Sequence, residues 1–261
     1  MRQRFYYIIK IQFLGFRYHG WQKQPGGLKT VEGMITKTLG FVLEGLSFKI
    51  LGASRTDAKV SANEALFELF LDDNPLEDLP SFLQVFNQNL PLDIRALGIE
   101  KTDASFNIIQ HPKTKEYIYL FSFGEKIHPF AASLMISFPD ELDIELMKKG
   151  ALLFVGRHNF RTYCAQANRN KEFIRTIDSC EIIDNDQYSA SFFPESSYIL
   201  RVRGKGFMRN QIRLMMGALY LLGKGEIDLD FIKNSLLTNS ELRLTYIAPA
   251  SGLTLNKIEL E

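Results

Sequence analysis

The sequence predicts an α+β chain of two ferredoxin-like halves, each built on an antiparallel sheet. Three observations point to it. Up to Ile99, segments of period-two apolar alternation and of helical periodicity follow one another as strand, helix, strand, strand, helix, strand. The later segments repeat a similar plan without sequence self-similarity. The chain has 261 residues, 46% hydrophobic and 23% charged, which is the composition of a globular protein with ample core.

The elements follow in order. Phe5, Tyr7, Ile9, Ile11 and Phe13 alternate along one side of a first strand. The Gln24-Pro25-Gly26-Gly27 loop precedes Thr30, an N-cap for a helix carrying Val31, Ile35, Leu39 and Val42. Strands are expected at Phe48–Leu51, Ala65–Leu71 and Ile94–Ile99, with a helix at Leu79–Phe86 that accepts Pro80 in its first turn. The second half opens on an aromatic strand, Glu116–Phe123. Asp143 then caps a helix with Ile144, Met147, Ala151 and Phe154 on it. Strands are expected at Phe173–Ile183, Tyr198–Arg203 and Leu253–Leu260, with a further piece near Tyr188–Phe193. Phe207–Leu222 carries the clearest apolar stripe of any helix, ended by Gly223, and a short helix is expected at Asp230–Leu237. The domains are expected at 1–105 and 106–261, joined near residues 101–113.

Composition excludes several classes. No apolar run approaches the ~18 residues of a membrane span. The opening apolar stretch is broken by Lys10 and Gln12 and lacks a cleavage site, so no signal peptide is expected. Two cysteines, Cys164 and Cys180, make neither a disulfide framework nor a zinc site, and the four histidines are scattered, so no metal is expected. These features fit a reduced, cytoplasmic compartment. No P-loop, dinucleotide fingerprint or nucleophile elbow is present. The 31 Lys+Arg nearly cancel the 30 Asp+Glu, so nucleic-acid binding must rest on local clustering. The acidic stretch Asp72–Asp78 is expected to be a solvated turn.

Three places carry more chemistry than folding needs. Ser54-Arg55-Thr56-Asp57-Ala58 follows a strand end. A guanidinium near Asp57 would keep the carboxylate ionised, ready to act as nucleophile or general base. A turn whose Asp bonds its own backbone fits the same residues. The second place is Arg201, Arg203, Lys205, Arg209 and Arg213, five cations with no carboxylate between Ile199 and Arg213. The first three are expected to share a strand face, and Arg209 and Arg213 a helix face. A phosphodiester backbone or a buried Asp would relieve their repulsion, as would a solvated polar face. The third is Lys115-Glu116-Tyr117-Ile118-Tyr119, where Tyr117 and Tyr119 suit base stacking and equally a half-buried sheet.

These motifs together resemble the TruA family of tRNA pseudouridine synthases. Tyr18-His19-Gly20-Trp21-Gln22-Lys23-Gln24 is similar to its opening motif, Thr30-Val31-Glu32 to its first helix start, and Arg55-Thr56-Asp57-Ala58 to its catalytic core. Leu90-Pro91-x-Asp93-Ile94, Lys115-x-Tyr117-x-Tyr119 and Gly156-x-His158-x-Phe160 follow in order. Phe207-Met208-Arg209-Asn210-x-x-Arg213 with Gly217, and Ala248-Pro249-x-x-Gly252-Leu253, complete the series.

The resemblance implies two ferredoxin-like (RRM-like) halves with a central cleft. It also implies isomerisation of uridine to pseudouridine in the anticodon stem-loop of tRNA, at positions 38 to 40, by a homodimer without metal or cofactor. It makes Asp57 the essential carboxylate, acting covalently or as a base. Tyr117 would stack on the uracil, Arg213 pair with Asp57, and Arg55 hold the flipped nucleotide's space or touch phosphate. An inactive RNA-binding protein on the same scaffold is the alternative. A protein-interaction domain without an RNA role is a third reading. The chain departs from the family pattern at Leu14, Ser54, Lys59, Ser61 and Ile109. Lys59 stands where the family has Gly, a change that matters most if φ is positive there.

Overall fold

The computed structural model describes residues 3–165, 172–244 and 246–260. Among them are ten strands and five α-helices. In chain order they are β1 (Arg4–Phe13), α1 (Val31–Val42), β2 (Phe48–Gly52), β3 (Ser61–Asp72), α2 (Leu79–Asn89), β4 (Ile94–Thr102) and β5 (Pro112–Phe123). There follow β6 (Ile136–Phe138), α3 (Ile144–Leu152), β7 (Gly156–Asn159), β8 (Ile174–Asp184), β9 (Tyr198–Gly204), α4 (Gln211–Gly223), α5 (Leu229–Ser235) and β10 (Leu253–Leu260). The chain is a mixed α+β protein. It forms two compact units, one running to Lys113 and taking back the chain from Leu255, the other spanning Thr114–Thr254.

In the first unit β1 lies between β4 and β3, both antiparallel to it, and β2 pairs with β3 at Phe48–Leu71 through Gly52–Phe67. The returning strand β10 also lies beside β3, where Asn63 Nδ2 donates to Asn256 Oδ1 at 2.7 Å. The alternation of β1 buries Tyr7, Ile9, Ile11 and Phe13, as its period requires. Thr30 caps α1, accepting from the Gly33 amide at 3.2 Å, and Asp78 caps α2, accepting from the Ser81 amide at 3.1 Å. Asn87 ties α2 to β4 by exchanging two hydrogen bonds with the Ala96 backbone. The acidic stretch is engaged at both ends: Asp72 on β3 pairs with Arg4 across the strands, and Asp78 is the cap.

The division falls later than the expected boundary between 105 and 106, and the last strand returns to the first unit. The reason is a buried anchor. Ile108 is fully buried, and its amide donates to Glu68 Oε2 on β3 at 3.4 Å. Asn107 and His111 close the turn around it. The connecting segment is thus part of the first core.

In the second unit the strand order is β5-β9-β8-β7, antiparallel, with β6 parallel to β5. Asp143 caps α3 as expected, accepting from the Leu146 amide at 2.8 Å. Two expectations are corrected. Residues 188–193 form a loop rather than a strand, because Asn185 accepts from the Tyr188 amide and donates to the Tyr188 carbonyl and to Ser197 Oγ. Tyr188, Phe192 and Phe193 pack against the Ile118, Leu120, Ala131, Met135 and Ile199 cluster instead. The helix expected from Phe207 begins at Gln211, because Asn210 sits in the left-handed region with φ 59°. Residues 166–171 and 245 lie outside the described residues. Cys180 is buried on β8, and burial pushes its thiol up, away from reactivity.

Glu68 yields a test. It is 1% exposed, its Oε1 has no hydrogen bond among the described residues, and desolvation raises its pKa. A carboxyl raised in the native state contributes stability below its unfolded pKa and loses it as pH rises through the native value. Wild type should therefore lose melting temperature relative to Glu68→Gln as pH rises from ~4.5, the ordinary glutamate range. Paired thermal melts across pH 4 to 8 check this, and a constant difference would refute it.

Candidate active site

Asp57 stands in the loop between β2 and β3, half-buried, with Arg55 exposed beside it. The loop is gripped through its backbone. The Trp21 amide donates to the Thr56 carbonyl at 3.1 Å, and the Lys59 amide donates to the Tyr18 carbonyl at 3.0 Å. The segment Tyr18–Trp21 therefore grips the chain on both sides of Asp57. Gly20 has φ +88°, and a Cβ there would lie 2.6 Å from the Thr56 carbonyl oxygen. Only glycine allows that approach. Trp21 is 3% exposed; its ring lies over Gly52, where a Cβ would come within 2.5 Å of it, and against Phe13 and Phe67. The opening motif is thus the mould in which the Asp57 loop is cast.

A second layer fixes Tyr18 itself. Its hydroxyl donates to Asp93 Oδ1 at 2.6 Å, while Arg17 Nε and Nη2 donate to Asp93 Oδ2 at 2.9 and 2.7 Å. Burial, with the adjacent Asp93 carboxylate, pushes the Tyr18 hydroxyl pKa up, so it remains a donor. The Leu90-Pro91-x-Asp93-Ile94 motif is legible here as support for the loop. Ser61, one of the departures, accepts from the buried Gly15 amide at 2.9 Å, and a Cβ on Gly15 would strike the Val60 carbonyl at 1.9 Å. Lys59 has φ +67°, so the departure from Gly falls where a side chain strains the backbone. Ile109 is an exposed loop residue.

The other candidates belong to the second unit. Tyr117 is buried on β5 and meets Phe207 edge-on at 5.3 Å. Phe207 is part of a sequence motif, but its pairing with Tyr117 is visible only in the fold. Tyr119 is fully buried, donates to the Pro249 carbonyl at 2.7 Å, and has its pKa raised by burial. Lys115 beside them is partly desolvated, which lowers its pKa. Arg213 donates through Nε to the Ala248 carbonyl at 2.8 Å and through Nη1 to Asn210 Oδ1 at 3.0 Å. The Ala248 amide donates back to the Arg213 carbonyl at 3.1 Å. Gly217 lets this strap lie close: a Cβ there would sit 2.4 Å from the Tyr246 carbonyl oxygen. Residues 246–252 thereby brace both Arg213 and Tyr119.

The basic run is corrected in two ways. Arg209 precedes α4 and does not share a helix face with Arg213, and Lys205 lies beyond the end of β9 at Gly204. Arg201 and Arg203 are also not without acidic relief. Glu181 on β8 comes within 3.6 Å of Arg201, and Glu116 on β5 within 3.8 Å of Arg203. Strand pairing supplies these carboxylates, since Arg201 faces Glu181 and Arg203 faces Glu116 in register. Lys205 and Arg209 are exposed. Among the described residues no group of three or more His, Cys, Asp or Glu is placed to hold a metal, and no helix is long and apolar enough to cross a membrane.

A family model described as tRNA pseudouridine synthase matches residues 151–260. Over nearly the whole length the chain is 30% identical to tRNA pseudouridine synthase A of a Bacillus species, covering 97% of this chain and 98% of that one. It is 29% identical to tRNA pseudouridine synthase A 2 of Bacillus cereus, with coverage of 97% and 98%. It is also 29% identical to tRNA pseudouridine synthase A of Listeria innocua, with coverage of 98% and 99%. These similarities define the class first, an isomerase that acts on tRNA. The chain belongs to the tRNA pseudouridine synthase A family.

The support of the loop can be tested away from the chemistry. Ser61→Ala leaves the buried Gly15 amide without its acceptor and should cost about 1–3 kcal/mol of stability, read by chemical denaturation. An unchanged midpoint would show that the Ser61 contact contributes nothing.

Proposed function

We propose that this protein isomerises uridine to pseudouridine in the anticodon stem-loop of tRNA, at positions 38 to 40, with Asp57 as the catalytic carboxylate. The observation that carries the reading is the Arg55-Thr56-Asp57-Ala58 loop gripped on both sides by the Tyr18–Trp21 backbone. Pre-organising a half-buried carboxylate in this way is what nucleophilic or general-base chemistry needs.

In this reading the target uridine leaves its stack, at a cost of a few kcal/mol that is least at the loop end of a stem. Asp57 either attacks the nucleoside or takes a proton at C2′. The C1′–N1 bond breaks, the uracil turns, and a C1′–C5 bond forms. As the C1′–C5 bond forms, the bond to Asp57 breaks or the proton returns to C2′; C5 then loses its proton and N1 gains one, so atoms and electrons balance without cofactor or metal. Arg213 pairs with the Asp57 carboxylate in this reading. Its Nε is already committed to the Ala248 carbonyl, which fixes the side chain's direction. Tyr117 stacks on the uracil, and Arg55, exposed, holds the flipped nucleotide's space or contacts the phosphate backbone. The reading takes the chain as built on two ferredoxin-like halves and the enzyme as a cytoplasmic homodimer.

The tRNA backbone is held by Arg201, Arg203, Lys205 and Arg209. Glu181 and Glu116 temper the first two, so Lys205 and Arg209 carry more of the grip.

Incubation with unmodified tRNA and site-resolved mapping of pseudouridine tests the reading. Wild type should form product at positions 38 to 40, and Asp57→Asn should lose at least about 10²-fold in rate while still binding tRNA. Salt-sensitive binding without product from the wild type would favour the inactive RNA-binding alternative. Full activity in Asp57→Asn would remove the carboxylate from the mechanism.

A further inference from the structure

We propose that Lys59 is an RNA-phosphate contact on the rim of the Asp57 loop, a cation held there by a backbone conformation that glycine would adopt without strain. The inference rests on the reading of Asp57 as the centre of a tRNA-modifying site. Lys59 has φ +67°. Left-handed backbone disfavours a lysine, and such outliers persist where the surroundings over-determine them, often at functional sites. Here the Lys59 amide is locked to the Tyr18 carbonyl, and the Val60 amide turns back to the Asp57 carbonyl at 3.3 Å. The backbone therefore needs this conformation whatever the side chain, and glycine would supply it at lowest strain. What Lys59 adds is its side chain.

That side chain is exposed, and its ammonium lies 5.7 Å from the centre of the Phe16 ring, itself 39% exposed. The ring orients a cation without neutralising it. Lys59 makes no ion pair among the described residues, whereas its neighbour Arg17 is engaged by Asp93 through two nitrogens. Arg17 is thus neutralised, while Lys59, two residues from Asp57 on the side away from Arg55, keeps an available charge. A flipped nucleotide keeps a phosphate on each side, and one of them must pass close to the residue that presents the catalytic carboxylate. An ammonium with three donors suits a phosphate oxygen.

The test compares wild type, Lys59→Gly and Lys59→Arg with one unmodified tRNA transcript. Binding is measured over a range of salt, and pseudouridine formation under single and multiple turnover. Lys59→Gly should raise Kd and KM roughly fivefold to tenfold and reduce the slope of log Kd against log salt by about 0.7–0.9. Its kcat should stay near wild type and its Tm should not fall, since glycine relieves the backbone. Lys59→Arg should recover most of the affinity. Wild-type affinity and salt slope in Lys59→Gly would overturn the proposal, as would a loss confined to kcat. Because binding is read without turnover, a wild type that binds tRNA but forms no pseudouridine would refute the enzymatic reading while leaving the Lys59 comparison decisive.

Discussion

The fold around Asp57 depends on one constraint, the approach of the Tyr18–Trp21 backbone to the Thr56–Lys59 backbone. Two amide-to-carbonyl bonds close it, from Trp21 to Thr56 and from Lys59 to Tyr18. Gly20 removes the side chain that would hold the two segments apart, and Trp21 fills the space behind, over Gly52. Backbone bonds of this kind are insensitive to side-chain rotamers, so the position of Asp57 is set by parts of the chain with no chemistry of their own. Tyr18, Asp93 and Arg17 then act on the clamp rather than on the carboxylate.

The second unit uses a different device for the same end. The strap at residues 246–252 accepts from Arg213 and from Tyr119 through adjacent carbonyls, those of Ala248 and Pro249. A helix residue and a strand residue are thereby indexed against one short segment. Gly217 and Gly252 make this possible, since a Cβ at either would meet Tyr246 or the Tyr119 ring within 3 Å. A motif rich in small residues is therefore a packing requirement first, and a functional signature only through what it braces.

Electrostatics follow register. The chain's net charge of +1 conceals local imbalance, and cross-strand pairing decides where that imbalance survives. Arg201 and Arg203 meet Glu181 and Glu116 because β8, β9 and β5 are neighbours. Lys205 and Arg209 escape because the strand ends at Gly204 and the helix waits until Gln211. Lys59 escapes because its turn points it over Phe16 rather than toward a carboxylate.

Local patterns are sufficient for much of this. The alternation of β1, the caps Thr30, Asp78 and Asp143, and the order of elements to β4 rest on interactions spanning a few residues, so periodicity and cap chemistry determine them. Asp57, Tyr117 and Arg213 are legible as motif residues for a related reason: a loop after a strand and an arginine on an apolar helix stand out in one dimension. The tertiary structure alone decided the rest. It broke the helix before Arg213 with a left-handed Asn210, gave the arginines their carboxylates, and drew the linker into the first core through Ile108 and Glu68. Each of these joins residues far apart along the chain, or turns on a single φ angle, and periodicity carries no information about either.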